Sequence, residues 1–235
     1  MFPELFQSLN IEAVDSYPSY LVDILKSLAP KKCKGDPKIV ILTPGHLNSA
    51  YYEHSFLADL MGVELVQGSD LYVNNNITYM KTTEGPKKID IIYRRIDDEY
   101  LDPLYYKNDS LLGVPGIINS YKTGYINICS APGAGLADDK AVYTFMPDII
   151  KFYLGEEPIL QNIKTWRCYD VKESKYVINN LEKLVVKEVH GSGGYGMLIG
   201  SKASKKELNI FKNKINKNPE NFIAQPILEL STVPI

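Results

Sequence analysis

The sequence predicts an α/β fold in two parts, and three observations carry that prediction. Lys38-Ile39-Val40-Ile41-Leu42 is a nearly pure apolar run closed by Pro44-Gly45, the pattern of a strand covered on both faces of a parallel sheet. Asn48 to Met61 then supplies a helix before a second strand near Val63-Glu64-Leu65-Val66, which makes a βαβ start. Far downstream, Val185 to Gly200 reads as a strand, a glycine-rich turn and an apolar return strand, a hairpin in place of a loop that opens a helix.

The remaining elements follow in order. Tyr17, Tyr20, Leu21, Ile24, Leu25 and Leu28 recur at helical spacing over residues 17–29, and Pro30 ends that segment. Asn74-Asn75-Asn76 separates two short extended pieces and suits a hairpin turn, while Ile89 to Tyr93 is a further buried strand, so residues 38–93 form an α/β unit. Asp109-Ser110 precede an apolar run, Pro115-Gly116 opens a helix to Tyr121, and Ile126 to Cys129 is a short strand before the turn Pro132-Gly133-Ala134-Gly135. Asp138-Asp139 sit at a helix N-cap, and Ala141, Val142, Phe145, Met146, Ile149, Ile150 and Tyr153 form a helical stripe that Pro147 kinks or restarts and Gly155 ends. Residues 162–169 read as strand or loop, 172–184 and 205–215 as helices, and Phe222 to Gln225 as an edge strand closed by Pro226. The expected division is an α/β domain over residues 1–90 and a second domain over 91–235.

Composition narrows the function. With 45% apolar residues the chain can bury a sizeable core, and a net charge of −2 provides no global field for nucleic acid or an anionic membrane. The lysines from Lys202 to Lys217 fall on the polar face of a helix, and no apolar run reaches the ~18 residues of a membrane span. The expectation is a cytoplasmic protein without nucleic-acid or membrane partners. Cys33, Cys129 and Cys168 are odd in number and far apart, as reduced thiols are. His46, His54 and His190 lack ligand spacing, which argues against a metal held by imidazoles and assigns His46 and His54 to packing or surface.

Two constellations carry chemistry. In the first, glycines 191, 193, 194 and 196 allow backbone N–H groups to approach an anion, and Lys187 adds a mobile cation. No Gly-Lys-Ser/Thr enters a helix and no third glycine opens one, which excludes Walker and dinucleotide loops. The hairpin reads as a lid for nucleotide phosphates, a glycine-rich connector being the plainer alternative. Lys187 lies between valines on one strand face, apolar cover for a base with a cation for the phosphates, and the strand ending at Gln225 offers edge groups to an adenine. In the second constellation, the strand ending in Tyr93-Arg94-Arg95 delivers two arginines and then Asp97, Asp98, Glu99 and Asp102 at its carboxyl end, where ligands of α/β sheets bind. Arginine suits phosphate oxygens and aspartate suits Mg²⁺; Asp138-Asp139-Lys140 offers further ligands or a simple helix cap.

These blocks together resemble the circularly permuted ATP-grasp family, type 2. They are Leu42-Thr43-Pro44-Gly45, Asn48 to His54, Tyr93 to Asp98, Leu112 to Gly116, Ala137 to Tyr143, Phe152 to Glu156 and the lysine–glycine hairpin. The resemblance implies an ATP-grasp-like fold, circularly permuted and preceded by a small pre-ATP-grasp α/β domain, with this chain an internal fragment of a longer member. The family is similar to the synthetase part of glutathionylspermidine synthase, which implies an ATP-dependent carboxylate–amine ligase acting through an acyl phosphate on small-molecule or peptide carboxylates and amines. It further implies that Lys187 holds ATP phosphates, that Gly191, Ser192, Gly193, Gly194, Tyr195 and Gly196 form the lid, and that Gln225 lines the adenine. Arg95 would contact the transferred phosphate, and Asp97 and Asp139 would bind Mg²⁺. Ser130 and Ala134 stand where relatives commonly carry asparagine. A nucleotide-binding scaffold without turnover, or a kinase-like phosphotransferase, would use the same cradle.

Overall fold

The computed structural model describes residues 4, 8, 9, 14–191, 194, 196–229, 231 and 232. The chain divides into two compact units, Met1–Ala134 and Gly135–Ile235.

The first unit is built on a parallel sheet. α1 (Tyr17–Ser27) precedes β1 (Ile39–Leu42), α2 (Tyr51–Met61) and β2 (Glu64–Val66); β6 (Ile91–Arg94) and β7 (Asn127–Cys129) complete the order β2-β1-β6-β7. Between β2 and β6 a three-stranded antiparallel sheet is formed by β3 (Leu71–Asn74), β4 (Ile77–Met80) and β5 (Lys87–Lys88). Its first turn is Asn75-Asn76, with φ of +50° and +63°, the geometry that twists with the strands and that asparagine tolerates. Two short helices, α3 (Asp98–Leu101) and α4 (Ile117–Lys122), link β6 to β7.

Alternation along β1 explains why its sequence is apolar throughout. Ile39 and Ile41 pack with Leu25, Ala58 and Met61 under α1 and α2, while Val40 and Leu42 pack with Leu71, Ile92, Leu101, Ile117 and Ile128 on the opposite side. Burying such a side chain contributes about 1.5–3 kcal/mol, so this strand organises two cores at once. Because β6 and β7 extend the same sheet, contacts thin at residue 134. The contact boundary thus lies later than the 90/91 division expected from sequence.

Two buried polar groups fix loops in this unit. Asp102 is fully buried; Oδ1 accepts from the Leu104 and Gly116 amides at 2.9 and 3.1 Å, and Oδ2 accepts from the Ile118 amide at 3.0 Å, at the start of α4. This carboxylate, grouped by sequence with those at the end of β6, is therefore structural. His54 is buried as well, its Nδ1 2.9 Å from Thr43 Oγ1, which also accepts from the Gly45 amide at 3.2 Å. Loss of hydration, helped by the Arg95 charge, holds its imidazole below the usual histidine range.

The second unit contains α5 (Met146–Leu154), β8 (Trp166–Arg167), α6 (Val171–Asn179), β9 (Leu184–Glu188), β10 (Met197–Ile199), α7 (Lys205–Lys217) and β11 (Phe222–Pro226). The strands form an antiparallel sheet in the order β10-β9-β11-β8. β11, expected at an edge, is interior: β9 pairs with all of it and the two-residue β8 covers its other side at Ile223 and Ala224. The stripe expected over residues 141–153 breaks into a 3₁₀ turn at Val142–Phe145 and a helix restarted with Pro147 in its first turn, ended by Gly155 at φ +68°. Phe145, Met146, Ile149 and Tyr153 of that stripe stay 39%, 38%, 36% and 77% exposed, so the stripe is not a core face of this unit. α6 is capped by Asp170, whose carboxylate accepts from the Lys172 and Glu173 amides, and α7 by a Ser204–Glu207 capping box. Cys168 lies buried beneath them, its thiol pushed up to about 12 by burial, in keeping with an inert, reduced cysteine.

Two measurements check these assignments. Asp102→Ala leaves three amides without an acceptor and is expected to lower unfolding stability by roughly 2–4 kcal/mol in urea titrations, with Asp102→Asn between the two. Because the folded chain resists protonation of His54 more than the unfolded chain does, stability is expected to fall as pH drops from about 6.5 towards 5. The urea midpoint of His54→Gln should change less over that window.

Candidate functional site

The second unit presents a two-faced sheet. Leu184, Val186, Leu198, Phe222 and Ala224 enter the core beneath α6 and α7. By the two-residue period of a strand, Val185, Lys187, Met197, Ile199, Ile223 and Gln225 share the other face. That face is mostly apolar with one cation and one amide in its middle. Lys187 lies opposite Ile223 and Val185 opposite Gln225, so Lys187 and Gln225 are diagonal neighbours, and Lys187 Nζ donates to Gln225 Oε1 at 2.8 Å. Gln225 Nε2 in turn donates to Thr165 Oγ1 at 2.9 Å, and the Thr165 hydroxyl donates to the Ile163 carbonyl at 2.9 Å. The structure thereby joins Lys187 and Gln225, and adds Thr165, which nothing in the sequence singled out.

The glycine turn rises from the same two strands. Gly194 and Gly196 have φ of +79° and +67°, and a Cβ on Gly196 would lie 2.4 Å from the Glu188 carboxyl carbon. The positive φ favours glycine at 196, and a side chain there would also require the flexible Glu188 carboxylate to move aside. Ser192, Gly193 and Tyr195, assigned to the lid from sequence, lie outside the described residues. At the root of the turn the Lys140 amide donates to the Val189 carbonyl at 3.2 Å, and its ammonium donates to the carbonyls of Val189 and Gly191. Asp139 sits beside this clamp. Its Oδ1 accepts from the Ala141 and Val142 amides at 2.7 and 3.3 Å, the capping role open from sequence, while Oδ2 lies 3.9 Å from His190 Nε2. One carboxylate oxygen is thus committed to the backbone and the other faces the glycine turn's first residues.

In the first unit, the chain leaves β1 towards β2 on one side and leaves β6 towards β7 on the other. The crevice outside the carboxyl ends of β1 and β6 is a topological switch point, where ligands of open α/β sheets bind. The acidic and basic residues there separate into two roles. Arg94, 7% exposed at its side chain, donates to the carbonyls of Ser130, Ala131 and Ile96 at 2.7, 3.1 and 2.7 Å and pairs with Asp98 at 2.7 Å. Asp98 also accepts from the Gly133 amide at 3.1 Å. Both therefore tie the loop after β7 to the loop after β6. Arg95 continues the sheet through its amide, which donates to the Leu42 carbonyl at 2.7 Å, yet its guanidinium is exposed and lies 6.0 Å from the Tyr93 ring centre. Asp97 is exposed beside it, and its carboxylate caps nothing. Of this constellation, Arg95, Asp97 and Glu99 present exposed charged groups, and Arg94, Asp98 and Asp102 are taken up by the loops.

Among the described residues no group of three or more His, Cys, Asp and Glu side chains is placed to cage a metal, and no helix is long and apolar enough to cross a membrane. Clefts of about 340 and 450 Å³ adjoin α6 and α7, lined by residues such as Ile178, Asn179 and Ile215, and touch none of Lys187, Gln225, Thr165, Arg95, Asp97 and Asp139. The candidate surface is a sheet face on which Ile223 is buried and Lys187 and Gln225 are half-buried, together with an exposed strand end at Arg95 and Asp97.

Comparison with known proteins agrees with this architecture. A protein of Synechocystis sp. (strain ATCC 27184 / PCC 6803 / Kazusa), named only as uncharacterized, is 49% identical over 99% of this chain and 48% of its own length. An uncharacterized protein of Mycobacterium tuberculosis (strain ATCC 25618 / H37Rv) is 49% identical over 100% of this chain and 42% of its own length. A protein of Frankia alni carrying the name "Putative glutamate--cysteine ligase 2-3" is 36% identical over 100% of this chain and 27% of its own length. The chain thus spans less than half the length of these relatives. The circularly permuted ATP-grasp type 2 family matches residues 1–235, the whole sequence, and the chain belongs to that family.

Proposed function

We propose that this chain carries the nucleotide-binding and phosphate-handling residues of an ATP-dependent carboxylate–amine ligase that forms an amide bond through an acyl phosphate. The observation that carries the reading is the Lys187–Gln225 pair, set among Val185, Met197, Ile199 and Ile223 beside a glycine turn. An adenine needs apolar cover and one polar edge, and a triphosphate needs a cation with free backbone amides nearby. This face offers the first three, and the glycine turn is suited to supply the amides.

In the proposed reaction a carboxylate oxygen attacks the γ-phosphorus of ATP and ADP leaves; an amine nitrogen then attacks the acyl carbon, phosphate leaves and the amine's proton goes to solvent. Lys187 would exchange the Gln225 oxygen for phosphate oxygens as the nucleotide settles. Arg95, whose exposed guanidinium makes no hydrogen bond among the described residues, is suited to the equatorial oxygens of the transferred phosphoryl group. Mg²⁺ bound to ATP usually takes one or two carboxylates, with phosphate and water completing its shell. Asp97, exposed and capping nothing, and Asp139, whose Oδ2 takes no hydrogen bond among the described residues and lies 3.9 Å from His190 Nε2, are each suited to be such a carboxylate in their own unit. When bound, the ion would neutralise charge on the phosphates. The name of the Frankia relative makes glutamate and cysteine the first carboxylate and amine to try.

The test is calorimetry with Mg-ATP together with an ADP-release assay over a panel of amino acids and amines. Lys187→Met is expected to weaken Mg-ATP binding by about tenfold or more with an unchanged melting temperature. Arg95→Ala is expected to leave that affinity within about threefold while ADP release falls by a factor on the order of 100. Binding without ADP release from any pair would replace the ligase reading with a nucleotide-binding module, and a stable phosphorylated product would replace it with a phosphotransferase.

A further inference from the structure

Thr165 has a defined chemical task at the edge of the Lys187–Gln225 face. An amide side chain can present either its oxygen or its nitrogen to a given neighbour, and its two orientations have nearly the same shape. Here both neighbours choose. Lys187 Nζ is a donor only, so it requires the Gln225 oxygen, 2.8 Å away. Thr165 could offer either a proton or a lone pair, but its proton goes to the Ile163 carbonyl at 2.9 Å, which leaves a lone pair facing Gln225 Nε2 at 2.9 Å. The register of β8 with β11 explains the meeting: Arg167 faces Ile223 and Trp166 faces Ala224, so the next step brings Thr165 to Gln225.

We infer that Thr165 is a positioning residue that holds the Gln225 amide in one orientation and thereby sets the preference for adenine over guanine. The inference rests on the proposed binding of a nucleotide at this face. When phosphate oxygens draw Lys187 away, Thr165 is the remaining group that keeps the amide from turning over. Gln225 then shows a base one N–H and one oxygen lone pair in a fixed order. Adenine carries an amino donor next to a ring acceptor, and guanine carries the reverse, a carbonyl acceptor next to a ring N–H donor. An amide pinned in one orientation matches one order; a free amide adapts to both.

The experiment measures ATP and GTP affinity by calorimetry, each with Mg²⁺, on the full chain and on Thr165→Val and Thr165→Ser. Valine keeps the shape and β propensity but accepts no hydrogen bond; serine restores the acceptor. The unaltered chain is expected to bind ATP at least about tenfold more tightly than GTP, the scale of one matched base edge. Thr165→Val should bring that ratio near one, chiefly through tighter GTP binding, and Thr165→Ser should restore it. A loss of stability alone would weaken both nucleotides together and leave the ratio in place. An unchanged ratio in Thr165→Val, or in Thr165→Ala should the valine variant not fold, overturns the inference while the ligase reading stands. A chain that binds ATP and GTP equally also overturns it. Failure of the unaltered chain to bind either nucleotide overturns both.

Discussion

The antiparallel register between β9 and β11 is the constraint on which the candidate nucleotide face depends. Val186 and Ala224 are fully buried against the helices, and Lys187 and Gln225 lie on the reverse of the same strands. A slip of one residue would turn Lys187 inward and bring Val186 out. Desolvating an unpaired ammonium costs several kcal/mol, and burying a valine is worth about 1.5–3 kcal/mol, so both terms oppose the slip. The position of the cation is therefore decided by apolar packing under α6 and α7, on residues that touch no ligand.

The same alternation separates the two arginines of the first unit. Ile92 belongs to the core beneath the α4 side of the sheet, and Arg94, two residues on, turns the same way into the carbonyls of the loop after β7. Tyr93 packs on the α1–α2 side, and Arg95 follows it with its guanidinium in solvent beside that ring. One arginine is consumed by structure, and the guanidinium of its neighbour is left in solvent. Asp98 and Asp97 divide in the same manner, the first bound by Arg94 and the Gly133 amide, the second open. The Arg94–Asp98 pair thus holds the strand end from which Arg95 and Asp97 project.

What the sequence made legible were features with a local cause. An apolar run without polar breaks had to be a doubly covered strand, consecutive asparagines suited a tight hairpin, and a proline inside a helical stripe marked a restart. Features that depend on distant partners were not legible. The interior place of β11 depends on β8, only two residues long and too short to show a strand pattern. The later unit boundary follows from β7 joining a sheet begun almost 90 residues earlier. Thr165 and Gln225 are 60 residues apart in the chain, and Lys140 and Gly191 are 51 apart, so no spacing rule could pair them. Asp139 could be read from its sequence as a cap or a ligand, and its Oδ1 accepts from the Ala141 and Val142 amides as a cap does.

The glycines of the hairpin answer two separate demands, and this bears on how such a lid can work. At Gly196 the positive φ disfavours a side chain, and one placed there would also have to displace the Glu188 carboxylate. At Gly194 nothing lies within 4 Å of the place a Cβ would occupy, so its requirement is the positive φ alone. The return strand is therefore seated firmly against β9, where Glu188 N–H donates to the Gly196 carbonyl at 3.2 Å. On the outgoing side, Lys140 grips the carbonyls of Val189 and Gly191. Both roots are held, and their backbone groups are largely committed to each other or to Lys140. Lys187 stands next to the inner end of that return, since its strand partner Met197 begins β10.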